Sequence, residues 1–170
     1  MIPLHCHSTF SFHAGVCTPR EIVAHTKAQG LRSVALTDTD RVSGLILFYR
    51  ACQDAGIDPI LGVELTDPGS QRNRHPPGFP GSDGGHLVLL AKNATGYGDL
   101  CEITTQRHCD PAFSIAETFS KPWPNLFILT GFPDLIELIV RTPNRENLYG
   151  CLLYTSDAAD EGLGVDLGGR

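Results

Sequence analysis

Apolar and polar positions along the chain fall into alternating blocks with the periods of strands and helices. Leu4 to Cys6 is a short extended start. Thr18-Pro19-Arg20-Glu21 predicts a helix opening, with Thr18 as cap, Pro19 at the first position and Glu21 completing a capping box. That helix continues through Ile22, Val23, His25 and Thr26, and Gly30 ends it. Ser33-Val34-Ala35-Leu36-Thr37 is an apolar run of the length of a buried strand. Ser43 to Ala55 reads as a second helix, with Leu45, Leu47, Phe48 and Ala51 on one stripe and Gly56 past its end. Pro59 to Leu65 is the next strand. Thr66 to Gly85, rich in Pro, Gly, Ser and Arg, reads as a loop. His86 to Ala91 is a strand, Tyr97 to Gln106 a helix, Asn125 to Thr130 a strand and Pro133 to Val140 a helix.

Strands alternating with helices of these lengths predict an α/β fold of parallel βαβ units with right-handed connections. An open doubly wound sheet and a barrel both fit. Neither GxGxxG nor GxxxxGK[ST] occurs, so nothing supports a nucleotide-binding phosphate loop.

Hydrophobic patterning stops at Cys151. Cys151 to Glu161 has no period, and Gly162 to Arg170 is glycine-rich. Back-translation of Cys151 to Asp160 gives TGT CTC TTA TAC ACA TCT GAC GCT GCC GAC, which resembles a transposase adaptor of shotgun sequencing libraries. Val165 to Arg170 gives GTA GAT CTC GGT GGT CGC, which resembles the flow-cell adaptor, in the same frame and the right order. The expectation is a native but truncated segment over 1–150, followed by a non-native, disordered tail over 151–170. Leaving out that tail removes four acids and one base, and the net charge goes from −6 to −3.

Composition narrows the class. With 41% hydrophobic residues, the chain can build one domain with a core. No window approaches the ~18 consecutive apolar residues of a membrane span. No basic region followed by an apolar run opens the chain, so no secretory signal is expected. The acidic balance argues against a general phosphate-gripping surface. Before the tail stand Cys6, Cys17, Cys52, Cys101 and Cys109, an odd set without a CxxC pair. They read as free thiols of a cytoplasmic protein, with no membrane partner.

Chemistry is expected at the C-terminal ends of parallel strands, and polar residues gather there. His5 and His7, two apart on an extended segment, point to one face. Asp38 and Asp40 follow the second strand, Glu64 closes the third, and His86 opens the fourth. Imidazoles and carboxylates brought together by several strands suit Zn, Mn or Fe and metal-assisted phosphoester hydrolysis. Arg72, Arg74 and His75 are candidate phosphate contacts, and Trp123 and Phe127 a candidate stacking platform. A solvated loop and a closed core edge are the simpler readings of these.

His5-Cys6-His7-Ser8-Thr9-Phe10-Ser11 resembles the first motif of the PHP (polymerase and histidinol phosphatase) family. Ala35-Leu36-Thr37-Asp38-Thr39-Asp40 with Ser43-Gly44 resembles the second motif, and Gly62-Val63-Glu64 the third. His86 to Asn93, followed by Gly96-Tyr97 and Leu100-Cys101, is similar to a signature of bacterial C-family DNA polymerases, the DNA polymerase III alpha subunits. Phe10-Ser11-Phe12 and Glu64-Leu65-Thr66 look more like their error-prone branch. The resemblance covers residues 3–150. It implies part of a distorted (β/α)7 barrel with parallel strands, at the N-terminus of a longer polymerase. Its partners would be the downstream polymerase domains of the same chain and, through them, DNA. The Mg-dependent polymerase centre would lie downstream, so the fragment itself would carry no catalytic residues.

The sequence departs from the family's metal pattern. Ala14-Gly15 stands where the family has Asp-Gly, with His13 as a neighbouring substitute. Thr39 stands where the family has His, and Phe132 where intact polymerase members have Cys. His5, His7, Glu64 and His86 remain as expected ligands. The expectation is a degenerate site for Zn or Mn, or a hydrogen-bonded polar pocket kept for structure, supporting a polymerase. The alternative is a stand-alone metal-dependent PHP phosphoesterase or exonuclease.

Overall fold

The computed structural model describes residues 2–12, 14–66 and 85–151. The expected tail from residue 152, the loop residues Arg72, Arg74 and His75, and His13 lie outside them. Helix α1 spans Pro19–Ala28. The Thr18 hydroxyl accepts from the Glu21 N–H, and the Glu21 carboxylate accepts from the Thr18 N–H at 2.7 Å, which closes the predicted capping box. Strand β1 spans Ser33–Leu36, α2 Leu45–Ala55, β2 Asp58–Thr66 and β3 His86–Ala91. They are followed by α3 (Ala94–Cys109), the short α4 (Ile115–Thr118), β4 (Leu126–Thr130), α5 (Pro133–Val140) and β5 (Leu148–Gly150).

The strands form one five-stranded sheet in the order β1-β2-β3-β4-β5. The fold is α/β as expected, but the sheet is not all parallel. β1–β2 and β4–β5 are parallel pairs, whereas β3 runs antiparallel to both neighbours. The reason lies in the connections. A parallel pair needs a crossover that carries the chain back along the sheet, usually a helix. No helical period lies between β2 and β3, so β3 begins where β2 ends, with His86 opposite Thr66. From β3 to β4 the chain makes two passes instead of one. α3 climbs back over roughly 24 Å. Residues 110–125 then return, so β4 starts beside the end of β3, with Leu126 opposite Ala91.

Leu4 to Cys6 is extended but not a strand of the sheet. It lies along β1 through Ala35 N–H to Pro3 O and Thr37 N–H to Cys6 O, both 2.9 Å. Three residues on one side span two on the other, and this bulge-like mismatch breaks the ladder.

Alternation along the strands separates two faces. On one, Val34, Leu36, Val63, Leu65, Leu87, Leu89, Leu126 and Ile128 pack with Val23, Leu45, Phe48, Cys52, Leu100 and Ile103 of the helices. Each such side chain contributes about 1.5–3 kcal/mol by leaving water. The stripe of α2 is Leu45, Phe48 and Cys52. Leu47, expected on it, is 47% exposed, because a three-then-four spacing follows the helix face and i+2 does not. On the other face, Ala35, Val88 and Leu90 form a small cluster with Ile60 and Leu129. Glu64 and His86 belong to this second face, four residues past Ile60 and two before Val88 on their strands. The described cysteines are free thiols. Among the described residues no helix is long and apolar enough to cross a membrane.

Candidate metal centre

The antiparallel course of β3 explains why His86, at the start of its strand, meets Glu64, near the end of β2. Both stand at one rim of the sheet, and the segment alongside β1 delivers His5 and His7 to the same place. The four expected ligands converge. The Nε2 atoms of His5, His7 and His86 lie 2.8, 3.4 and 3.9 Å from Glu64 Oε2. His5 and His7 Nε2 are 3.1 Å apart. In a tetrahedral site with bonds of about 2.1 Å, neighbouring ligand atoms are ~3.4 Å apart. The observed separations bracket that edge. The donor atoms of His5, Glu64 and His86 all lie within 4.8 Å of one another, a group that could hold a metal ion. His7 joins it through His5 and Glu64. The donor set, imidazole nitrogens and one carboxylate, suits a borderline divalent metal.

Electrostatics fit that reading. Burial pushes the Glu64 carboxyl up, but hydrogen bonds from His5 and His7 and the positive charge of His86 and His7 hold it well below the usual carboxylate range. The same hydrogen bond, made by the charged imidazolium, raises His7 against the opposing effect of its partial burial.

Three positions anticipated as changed are now visible in place. The Thr39 hydroxyl donates to Glu64 Oε1 at 2.9 Å, occupying the carboxylate oxygen that faces away from the histidines. The Phe132 ring stands edge-on to His86 with centroids 5.0 Å apart. Ala14 brings no donor atom. A second ion next to the first finds no further carboxylate or imidazole among these residues.

The two aspartates after β1 do not join the cluster. Asp38 is fully buried. Its carboxylate accepts from the Ser8 N–H, the Ser8 hydroxyl and the Ser11 hydroxyl, each at 2.7 Å. Asp40 turns the other way, in the left-handed region with φ 51°. Its carboxylate accepts from the N–H and hydroxyl of Thr66 at 2.8 and 2.6 Å and pairs with Arg107 at 3.1 Å. His108 Nε2 meets the Asp40 carbonyl at 2.6 Å. The end of α3 is thereby fastened to the rim that carries Glu64. Ser8, Ser11, Arg107 and His108 were missed as site supports. Ser8 and Ser11 stood within the first motif but carried no signal of a role beyond a turn, and Arg107 and His108 read only as the end of a helix.

Of the aromatic candidates, Trp123 closes the core, 6% exposed, with its indole N–H donating to the Thr118 carbonyl. Phe127 is 37% exposed and lies edge-on to Tyr149 under the Lys92 ammonium.

The PHP domain family model matches residues 3–153. The error-prone DNA polymerase of Ralstonia nicotianae is 35% identical over 141 residues, which is 81% of this chain and 12% of that protein. The DNA polymerase III subunit alpha of Chlamydia pneumoniae is 37% identical over 105 residues, 61% of this chain and 8% of that protein. A putative metal-dependent phosphoesterase from Bifidobacterium adolescentis superposes with a TM-score of 0.43 at 21% identity, over 85% of this chain and 45% of that one. The chain thus spans about a tenth of the length of the polymerases it matches. With motifs, match and rim geometry in agreement, the chain belongs to the PHP domain family and is homologous to part of the bacterial error-prone and DNA polymerase III alpha polymerases.

Proposed function

We propose that this chain is the N-terminal PHP segment of a bacterial polymerase of the DNA polymerase III alpha type, closer to the error-prone branch. Residues 1–150 are its native part, and 151–170 derive from sequencing adaptors. It braces the downstream polymerase domains of the same chain and meets DNA through them, while the Mg-dependent polymerase centre lies elsewhere. The fragment neither polymerises nor degrades DNA. What supports this reading is identity to polymerases of both kinds along most of the described chain.

His5, His7, Glu64 and His86 hold one divalent ion, Zn or Mn. When bound, such an ion supplies Lewis acidity toward a phosphoester oxygen. The chain's own groups set its limits. Glu64 offers one oxygen, because Thr39 holds the other. Phe132 covers one side of His86 with an apolar ring. One ion without a neighbour would lack the paired clamp on the attacking and leaving oxygens, which accords with the absence of DNA hydrolysis.

A second reading, a PHP phosphoesterase or exonuclease, draws on the four converging donors. Metal content decides between a held ion and a polar pocket. The 170-residue chain, loaded with Zn or Mn and dialysed, is expected to retain about one ion, and His7→Ala to lose it. A folded chain without metal refutes the site. Hydrolysis of a phosphodiester by the loaded chain, absent in His7→Ala, refutes the inactive assignment. An uninterrupted gene that ends without a polymerase region refutes the parent.

A further inference from the structure

We infer that Ser11, anchored by Asp38, is a positioning residue that fixes the proton of neutral His7 on Nδ1 and thereby leaves the Nε2 lone pair free for an ion beside Glu64. The inference deepens the proposed metal site and rests on it only for its consequence, not for its geometry.

The available protons decide the tautomer. His7 Nδ1 faces two hydroxyls, Ser11 Oγ at 2.9 Å and Thr39 Oγ1 at 3.4 Å. A hydroxyl has one proton to give. That of Ser11 goes to Asp38 Oδ1 at 2.7 Å, and a carboxylate accepts only. That of Thr39 goes to Glu64 Oε1 at 2.9 Å. Neither hydroxyl has a proton left for His7, so both can only accept at Nδ1. On the other side His5 Nε2 donates to Glu64 Oε2 at 2.8 Å and stands 3.1 Å from His7 Nε2, so a second hydrogen on His7 Nε2 would face the first; the single proton of neutral His7 therefore goes to Nδ1. Ser11 Oγ also accepts from the Thr39 N–H at 2.9 Å, so its three hydrogen-bonding positions are all used.

The arrangement is rigid. Ser11 is 1% exposed and Asp38 fully buried. Asp38 is held in turn by the Ser8 N–H and hydroxyl. The hydroxyl of Ser11 cannot rotate to donate to His7 without leaving the carboxylate unpaired on that side. In water, free histidine places its neutral proton on Nε2 as the major form, the wrong nitrogen for a ligand that binds through Nε2. Metal-binding histidines are fixed in tautomer by the partner of the other ring nitrogen, and losing such a partner costs about 10–100-fold in affinity. Here the partner is a serine whose own proton is committed to a buried aspartate.

The test reads the proton directly. Long-range nitrogen–proton correlation spectra of the metal-free 170-residue chain, labelled with nitrogen-15 in histidine, distinguish the two neutral forms at pH ~9, well above the ordinary imidazole value of about 6.5. His7 is assigned by the signal lost in His7→Ala. A single Nδ1–H form supports the inference. A dominant Nε2–H form, or the averaged pattern of free histidine, overturns it whatever the metal affinity.

Two variants separate this from the site reading. Ser11→Ala is expected to shift His7 toward Nε2–H and weaken Zn binding by about 10–100-fold. Asp38→Asn keeps an acceptor for Ser11 and is expected to keep the Nδ1–H form. A folded Ser11→Ala chain with unchanged tautomer and affinity overturns the inference. A wild-type chain that shows the Nδ1–H form yet binds no metal supports the relay and refutes the metal site instead. The wild-type spectrum decides the inference even if both variants fail to fold.

Discussion

Asp38→Ala should destabilise the chain far more than its position outside the candidate ligand set would suggest. The carboxylate is fully buried and accepts three hydrogen bonds, each 2.7 Å long, from Ser8 and Ser11. Hydrogen bonds to a charged group contribute about 1.5–3 kcal/mol each, and a buried donor left without a partner costs about 1–3 kcal/mol. Removing the acceptor orphans one N–H and two hydroxyls at once. Against that stands relief from keeping a charge out of water, several kcal/mol in an uncompensated site. Water entering the small vacated space and rotation of the hydroxyls recover part of the loss. The balance is a net destabilisation of about 3–5 kcal/mol, the range for breaking a buried charged network.

Asp38→Asn supplies the internal control. Its carbonyl oxygen can still accept from the Ser8 N–H and the Ser11 hydroxyl, and its amide can donate to Ser8 Oγ. One hydroxyl proton loses its acceptor, at a cost of about 1–3 kcal/mol. Urea unfolding followed by circular dichroism measures both. With a slope of about 2 kcal/mol/M, Asp38→Ala should lower the midpoint by roughly 2 M and Asp38→Asn by about half as much. The ordering matters more than either value. If Asp38→Ala lies within about 1 kcal/mol of wild type, or if the two variants are equal, the three bonds do not anchor the Ser8–Ser11 turn.

Four further outcomes follow from the same geometry. Thr18→Ala opens the capping box of α1 and should cost about 1 kcal/mol in the same unfolding assay. Gly62→Ala should cost about 1–3 kcal/mol, because a Cβ there would stand 2.5 Å from Leu89 O and 2.9 Å from Thr37 Cγ2, directly beneath Glu64. The metal-free chain should be most stable at mildly acidic pH. Glu64, held below its ordinary 4.5, contributes fully above that value and loses the contribution as pH falls. His7, raised above its ordinary 6.5, contributes fully below that value and loses it as pH rises through the raised one, so thermal melts across pH 4–9 should peak between the two. Metal, which needs neutral imidazoles, should reverse the alkaline limb, and Zn at 100 times its Kd should add about 2.7 kcal/mol, read as a rise in Tm that a chelator abolishes.

What the sequence disclosed about the fold was whatever is encoded locally. Thr18, Pro19 and Glu21 specify the start of α1 by contacts within four residues. Gly56, at φ 70°, ends α2 where expected. The direction of β3 was different, since His86 to Ala91 reads the same either way round. The signal lay in the lack of any helical period in the sequence before it, which leaves no crossover of the kind a parallel strand needs. α3 begins three residues before its expected start, because Gly96 and Gly98 lower helix propensity there while the Asn93 side chain caps the helix by accepting from Gly96 N–H. α4 and β5 are too short to show a period. At the site, ligand-type side chains stood out by residue type and spacing. Their supports did not, because Asp38 meets Ser8 and Ser11 across 30 and 27 positions, and no local pattern announces a serine whose proton goes to so distant a carboxylate.

The changed ligand positions share a consequence for how this rim holds together. A site built wholly from metal ligands is held apart by like charges and unpaired donors until the ion arrives, so folding and binding become one event. Here Thr39 satisfies the outer oxygen of Glu64, the histidines satisfy the inner one, and Phe132 gives His86 an apolar neighbour that needs nothing from an ion. Among the described residues, no buried side-chain nitrogen or oxygen lacks a hydrogen-bond partner. The Asp38 anchor and the Asp40–Arg107 clamp then fix the rim from below and from the side through bonds that do not involve the cluster at all. The scaffold is therefore complete without metal, and an ion would add stability without being required for the fold. On the proposed function that independence would matter, because a bracing contribution would then not hinge on metal supply. Thr39 and Phe132, which bring no metal-ligand side chain to the rim, are the residues that let it close without an ion.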